Sequence, residues 1–193
     1  MLNLAPDMSA LVSEFCQWLL QDNSPKASLT SIVLHGKAEI VSDRLVEEIS
    51  RYLNEYDDEA GGCWLGASRA LLGAIAADSN LTRMMDLGGC CGCRGGCCSK
   101  AEPSEDQKQA VILKALAARG HLVFRAPAGH LELPTHARAF HAGIGERDDI
   151  ADRCHITVDP DMIDTGRLPQ IVADVYLEWN HSHGLMTPPT REA

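Results

Sequence analysis

The chain has 193 residues and a formal net charge of −10, with 27 acidic residues against 17 Lys and Arg. Its hydrophobic fraction of 45% and charged fraction of 23% are typical of a globular protein that buries one core. A phosphate backbone is repelled by a protein of net negative charge, so we expect a protein partner rather than nucleic acid, and the oligomeric state stays open.

The N-terminal sequence lacks the features of a secretory signal. It has no basic region and carries Asp7 and Glu14, whereas a signal begins with positive charge and continues as an apolar run. The longest apolar run, near 70–77, is too short to cross a bilayer. We therefore expect a cytoplasmic protein that does not bind a membrane. Thiols stay reduced in the cytoplasm, so the eight cysteines indicate metal ligation or redox chemistry rather than disulfides.

In the first half of the chain, hydrophobic periodicity predicts three helices and one strand. The helices have apolar residues every three or four positions, and Ser42 supplies an N-cap for the second of them. The strand is a short, partly β-branched run that ends at His35 and Gly36. The predicted bounds are 7–21, 43–56 and 64–77 for the helices and 31–34 for the strand.

The patterns of the second half predict a mixture of helices and short strands. Ser104 and Gln107 have the spacing of a capping box, which predicts a helix from there to about Arg119. Two apolar runs around a four-residue loop predict a β-hairpin near 121–133. The remaining predicted elements are a broken helix over 134–151, a strand at 155–158, a helix start at Asp159–Pro160 and a final helix over 167–181.

Together these elements predict a helix-rich α+β fold with five to seven helices and three or four short strands. A Gly/Cys-rich stretch separates an N-terminal helical part (1–87) from a C-terminal α+β part (104–193), with the stretch and its linker at 88–103. One single domain is equally compatible with this pattern, so both divisions remain open.

The Gly/Cys segment, residues 88–98, has the sequence GGCCGCRGGCC, unlike the rest of the chain. Its Cys90, Cys93 and Cys97 follow a C-x2-C-x3-C spacing, which lets one turn of chain present several thiolates to one ion. The glycines allow the chain to wrap closely around sulfur, and Arg94 offsets part of the thiolate charge. The segment therefore predicts a soft-metal site.

Further ligands can come from the same segment or from outside it. Cys91 and Cys98 are the second members of adjacent pairs, whose side chains point in opposite directions in extended backbone. The remote candidates are Cys63, Cys154 and His155. Ligands compressed into one loop favour an iron–sulfur cluster or Cu(I) over the paired knuckles of structural zinc, although zinc stays a candidate.

The leading hypothesis from the sequence is a protein that binds a soft metal or iron–sulfur centre in redox sensing, metal handling or support of a larger enzyme. One alternative is an acidic inhibitor or nucleic-acid mimic without metal, which requires a contiguous acidic face. Another is a thiol-dependent enzyme, which requires a cysteine with a lowered pKa in a pocket. No P-loop, G-x-S-x-G or G-x-G-x-x-G motif occurs in the sequence.

The acidic stretch 146–164 offers Asp149 or Asp152 as a base near His155. Capping and solvated helix positions explain the same acids without any catalytic role. The other histidines of the second half, including His121 and His141, are expected at solvated or capping positions.

Overall fold

The computed structural model describes residues 10, 12–13, 15–18, 29–57, 64–78, 80–81, 104–127, 133–134, 138–145, 154–159 and 165–184. The strands are β1 (Thr30–Gly36), β2 (Trp64–Ala67), β3 (His121–Arg125), β4 (Arg138–Ile144) and β5 (Ile156–Val158). The helices are α1 (Asp43–Tyr56), α2 (Arg69–Ala77), α3 (Glu105–Ala117) and α4 (Leu168–Gly184), the last preceded by a 3-10 turn at Thr165–Arg167. Helical residues also lie between 10 and 18.

The five strands form one parallel sheet in the order β2-β3-β1-β4-β5. β1 is the central strand, and its Leu34 pairs with Arg125 of β3 and with Ala142 of β4. It can occupy this place because it is apolar on both faces, with Ile32 and Val33 buried on opposite sides. A strand covered on both faces is typical of parallel sheets.

Helices cover both faces, because parallel strands need crossover connections that pass over the sheet. α1 and α4 pack on one face and form the first core, which includes Ile49, Phe140 and Tyr176. α2, α3 and the N-terminal helical residues pack on the other face and form the second core, which includes Leu71 and Leu116. No helix in the described part of the chain is long and apolar enough to cross a bilayer.

The helix starts agree with the capping residues in the sequence. Ser42 Oγ accepts a hydrogen bond from the backbone N–H of Leu45 at 3.3 Å. Ser104 and Gln107 form the predicted capping box, with bonds of 3.3 and 2.9 Å. The predicted helices at 43–56 and from 104, the first strand and the final helix are therefore confirmed.

The predicted hairpin near 121–133 is wrong. Residues 121–125 do form a strand, β3, but it pairs in parallel with β2 on one side and with β1 on the other. Both hydrogen-bonding edges of β3 are thus occupied by strands from the first half of the chain. The backbone N–H of Ala126 also donates to Leu34 O, and the chain then continues to β4 on the far side of β1.

Two stretches predicted as helical contain strands. Residues 64–67 form β2, and α2 begins only at Arg69, after the N-cap Ser68. Residues 138–144, within the predicted broken helix 134–151, form β4. Short strands buried on both faces lack the alternation that separates a strand from a helix in sequence. The fold is therefore mixed α/β with five strands in the described residues, rather than helix-rich α+β with three or four.

Strands from both predicted parts of the chain interleave in this sheet. β1 and β2 come before the Gly/Cys segment in sequence, whereas β3, β4 and β5 come after it, and β3 lies between β1 and β2. The hydrogen bonds of the sheet therefore join residues 30–67 to residues 121–144.

Candidate functional site

Three histidines from neighbouring strands form a cluster, His35, His141 and His155, called here the histidine cluster. His35 is next to last in β1, His141 lies within β4, and His155 directly precedes β5. The β1–β4 register pairs His35 with Gly143, two residues after His141, so His35 and His141 project from the same face of the sheet. The carboxyl end of parallel strands, where His35 lies, is where ligands of open α/β sheets bind.

His35 and His141 share a hydrogen bond between their rings. His35 Nε2 and His141 Nδ1 lie 2.8 Å apart, so one of these nitrogens carries a proton and donates it to the other. The two rings are also stacked, with centroids 5.1 Å apart. His35 therefore fixes the orientation of the His141 ring, and it occupies Nδ1 of that ring with a hydrogen bond.

The second ring nitrogen of His141, Nε2, is not engaged by His35. No residue of the described part of the chain hydrogen-bonds to it. His141 as a whole is half-buried. When His141 Nδ1 donates to His35, Nε2 carries a lone pair that can accept a proton.

His155 holds His141 through its main chain. His155 Nδ1 accepts a hydrogen bond from the backbone N–H of His141 at 2.9 Å, and the His155 N–H donates to His141 O at 2.8 Å. Its ring stacks on His141 and on Phe140, with centroid distances of 5.9 and 5.2 Å. Because Nδ1 is the acceptor, neutral His155 carries its proton on Nε2.

Burial and a neighbouring charge favour neutral His141. Partial burial lowers the pKa of His141 below its ordinary value of 6.5, and the positive charge of a protonated His155 lowers it further. A lowered pKa means that the lone pair of the imidazole is available at neutral pH. In the tautomer whose proton is on Nδ1, the His141 ring therefore offers Nε2 as a neutral base.

Cys154 is the one predicted cysteine ligand among the described residues. A Cβ added to Gly143 would lie 3.3 Å from Cys154 Sγ, so the sulfur lies against the sheet face that carries His141. Burial raises the pKa of the Cys154 thiol above its ordinary 9.0, which is opposite to what a thiol nucleophile needs. Among the described residues, no group of three or more His, Cys, Asp or Glu could hold a metal ion.

The other predicted site residues lie outside the described part of the chain. These are the cysteines of the Gly/Cys segment, the remote candidate and the two candidate bases, namely Cys90, Cys91, Cys93, Cys97, Cys98, Cys63, Asp149 and Asp152. His155, proposed from the sequence as a remote ligand or a catalytic partner, lies beside His141 in the histidine cluster.

The sequence prediction missed His35 and His141. It used His35 only as the end of a strand, and it placed His141 at a solvated or capping position in a helix. His121, expected at a similar position, is in fact buried, and its Nδ1 accepts the backbone N–H of Thr30. His35 could have been singled out in the sequence as a functional candidate, because it is a polar residue at the end of an apolar strand. Its partner could not be predicted, because the two rings are 106 positions apart in sequence.

The histidine cluster can accept and release a proton at His141 Nε2 when the proton of the neutral ring is on Nδ1. His141 supplies Nε2, His35 fixes Nδ1 of the same ring, and His155 fixes the main chain behind it. No protein-family model matches the sequence, and comparisons with curated proteins and with solved structures found no match.

Proposed function

We propose that this protein is an enzyme in which His141 acts as a general base on a small molecule bound beside the histidine cluster. The observation that carries the proposal is the 2.8 Å hydrogen bond between His141 Nδ1 and His35 Nε2, which leaves His141 Nε2 as the nitrogen not engaged by His35. A general base needs a lone pair at the working pH and a second group that orients its ring. The lowered pKa of His141 and the contact with His35 support both requirements.

The two histidines have different roles in this proposal. When His141 Nε2 takes a proton, the ring becomes an imidazolium whose Nδ1–H still donates to His35 Nε2. His35 therefore stabilises the charged form as a hydrogen-bond acceptor and is a positioning residue. The arrangement follows the general logic of a catalytic histidine held by a third group.

Diethyl pyrocarbonate acylates unprotonated imidazole nitrogen, so its rate of reaction tests the open lone pair without knowledge of the substrate. We expect His141 to be acylated faster than His121, because His121 is buried and its Nδ1 accepts the backbone N–H of Thr30 at 3.2 Å. The rate at His141 should fall only when the pH drops below the ordinary histidine pKa of about 6.5. Peptide mapping by mass spectrometry at a series of pH values measures the rate of acylation at each histidine and its dependence on pH.

Two substitutions test whether the hydrogen bond to His35 controls the reactivity of His141. His35→Phe keeps an aromatic ring but removes the acceptor for Nδ1, and it should slow acylation of His141 several-fold. His181→Gln, at an exposed position on α4, is the matched control and should leave the rate unchanged. The proposal is contradicted if His141 reacts no faster than His121, or reacts equally fast in His35→Phe.

A soft-metal centre in the Gly/Cys segment is a second candidate function, favoured by five cysteines within eleven residues. Cys90, Cys93 and Cys97 are the proposed ligands, for an iron–sulfur cluster, Cu(I) or zinc. This function is compatible with a base at His141, since it uses different residues. With such a centre, the protein would act in redox sensing, metal handling or support of a larger enzyme.

Metal and sulfide analysis of protein purified without oxygen tests the second candidate, with an absorption spectrum to separate iron–sulfur from zinc or Cu(I). We expect near-stoichiometric metal that is lost in Cys90→Ser and in Cys93→Ser. Cys16→Ser should retain it, because Cys16 packs beside the second core. Metal-free protein, or metal that persists when all five cysteines of the segment are serine, would rule this candidate out.

A further inference from the structure

Aromatic residues make up only 5% of the chain, yet two of its three tryptophans are joined by ring contacts through a tyrosine. Tyr176 contacts Trp64 edge-on with centroids 5.1 Å apart, and it contacts Trp179 at 6.1 Å. Trp64 and Tyr176 are buried, whereas Trp179 is half-buried and lies against His155. These three residues, Trp179, Tyr176 and Trp64, are called here the aromatic chain.

The two ends of the aromatic chain lie beside side chains of opposite charge. At the outer end, the Arg138 guanidinium lies 4.6 Å from the ring centre of Trp179. At the inner end, Trp64 Nε1 donates to Asp57 Oδ2 at 2.8 Å, and Asp57 is only 5% exposed. A positive charge on an indole is therefore disfavoured at Trp179 and favoured at Trp64, and both effects are strengthened by burial.

Among the described residues, His121 is a second titratable group that faces the inner end. Its ring lies 4.9 Å from the ring of Trp64, and burial lowers its pKa, with only partial compensation from the charge of Asp57. Neutral His121 adds no positive charge beside Trp64. The Asp57 carboxylate is hydrogen-bonded directly to the Trp64 indole, so its negative charge acts on Trp64 at close range.

We propose that the aromatic chain carries oxidising equivalents from Trp179 inward to Trp64, and so away from the histidine cluster. A one-electron oxidant at the surface, such as a high-potential metal complex, takes one electron from Trp179. Trp64 replaces that electron by way of Tyr176, and the Nε1 proton of Trp64 moves to Asp57 Oδ2. The oxidant is thereby reduced by one electron, Trp64 becomes a neutral indolyl radical, and Asp57 becomes a carboxylic acid.

The proton transfer gives the electron transfer its direction. Trp179 and Tyr176 return to their starting states, so the only lasting changes are at Trp64 and Asp57. The carboxylate is already hydrogen-bonded to the indole N–H, so the proton moves along an existing bond. The proposed electron transfer uses no atom of His141, and Trp179 meets the histidine cluster at the ring of His155.

Photochemical oxidation of the full chain tests the proposal. Ruthenium tris-bipyridine is oxidised by a laser flash with persulfate as electron acceptor, and transient absorption and electron paramagnetic resonance then identify the radical. We expect a neutral tryptophan radical in the native protein. Trp64→Phe should abolish it, and Tyr176→Phe should slow its formation several-fold, because phenylalanine is not oxidised. All these proteins keep the same eight cysteines, so competing thiol oxidation is equal among them.

Two further variants separate this mechanism from general oxidation and from misfolding. Asp57→Asn keeps an oxygen acceptor for Trp64 Nε1 but cannot take its proton, so the radical should remain protonated. Trp18→Phe, in the second core beside Phe15, is the matched control and should give the native signal. The proposal is overturned if Trp64→Phe gives the native yield of radical, or if Asp57→Asn still gives the neutral radical at the native rate.

Discussion

Replacement of Phe140 by alanine is expected to lower the free energy of unfolding by about 3–5 kcal/mol. Phe140 is fully buried in the first core, where its ring contacts Tyr176 at 5.6 Å and Trp179 at 5.3 Å. Alanine removes these contacts and leaves a cavity that the surrounding strands and α4 cannot fully close. Urea unfolding followed by circular dichroism, with linear extrapolation to water, measures the loss.

Val111→Ala is the matched control for this experiment. Val111 lies on α3 and is 56% exposed, so its truncation should change stability by no more than about 0.5 kcal/mol. Phe140→Ala also removes one of the two rings on which His155 stacks. A loss in Phe140→Ala as small as the loss in Val111→Ala would contradict the assignment of Phe140 to the core.

Acid is expected to destabilise the protein, with His121 as a principal cause. Its Nδ1 accepts the backbone N–H of Thr30 at 3.2 Å, and its residue is only 9% exposed. Protonation of Nδ1 breaks this bond and places a charge in the core. Burial therefore lowers the pKa of His121 in the folded protein, which the charge of Asp57 offsets only in part.

The direction of the pH dependence follows from this lowered pKa. In the unfolded chain His121 titrates near its ordinary 6.5, and in the folded protein below that value, so between the two the unfolded state binds more protons. Stability is then complete above about pH 6.5 and is lost as the pH falls through this window, by up to about 1.4 kcal/mol per pH unit.

His121→Gln isolates this contribution. Glutamine offers a carbonyl oxygen to the backbone N–H of Thr30 and does not titrate, so the variant should lose less stability in acid than the native protein. His141 also has a lowered pKa and contributes equally to both proteins, so it cancels in the comparison. Urea unfolding at a series of pH values gives the result. Equal losses in both proteins would show that His121 is not the source.

Local signals in the sequence predicted local structure well. Ser42 and Ser104 were identified as caps from their own neighbours, and hydrogen bonds spanning three residues confirm both. The final helix also followed from its periodicity. Such elements are determined within one or two turns of chain, so their sequence contains the information that fixes them.

The sheet could not be predicted in the same way. Residues 64–67 and 138–144 are short runs buried on both faces, and periodicity does not distinguish these from helix. The hairpin prediction assumed that β3 would pair with the chain that follows it. In the structure β3 pairs with β1 and β2, and this choice depends on the burial of the whole sheet.

The candidate sites also differ in how far the local sequence predicts them. The density of cysteines in the Gly/Cys segment is visible in sequence, and its role as a metal site stays a prediction. The histidine cluster depends on the pairing of β1 with β4 and of β4 with β5, so no local sequence pattern predicts it. The sequence offered His155 as a remote metal ligand or as a partner of Asp149 or Asp152, and its ring in the structure contacts His141, Phe140 and Trp179 among the described residues.

Side-chain nitrogen NMR of the histidines across a pH series tests the role of His141 most directly. We predict that the His141 ring stays neutral at the pH where an ordinary histidine is half protonated, about 6.5. Its Nδ1 should carry the proton shared with His35 and its Nε2 a lone pair, and His35→Phe should change both its tautomer and its pKa. A His141 ring that titrates at the ordinary value and does not respond to His35→Phe would contradict the proposed base.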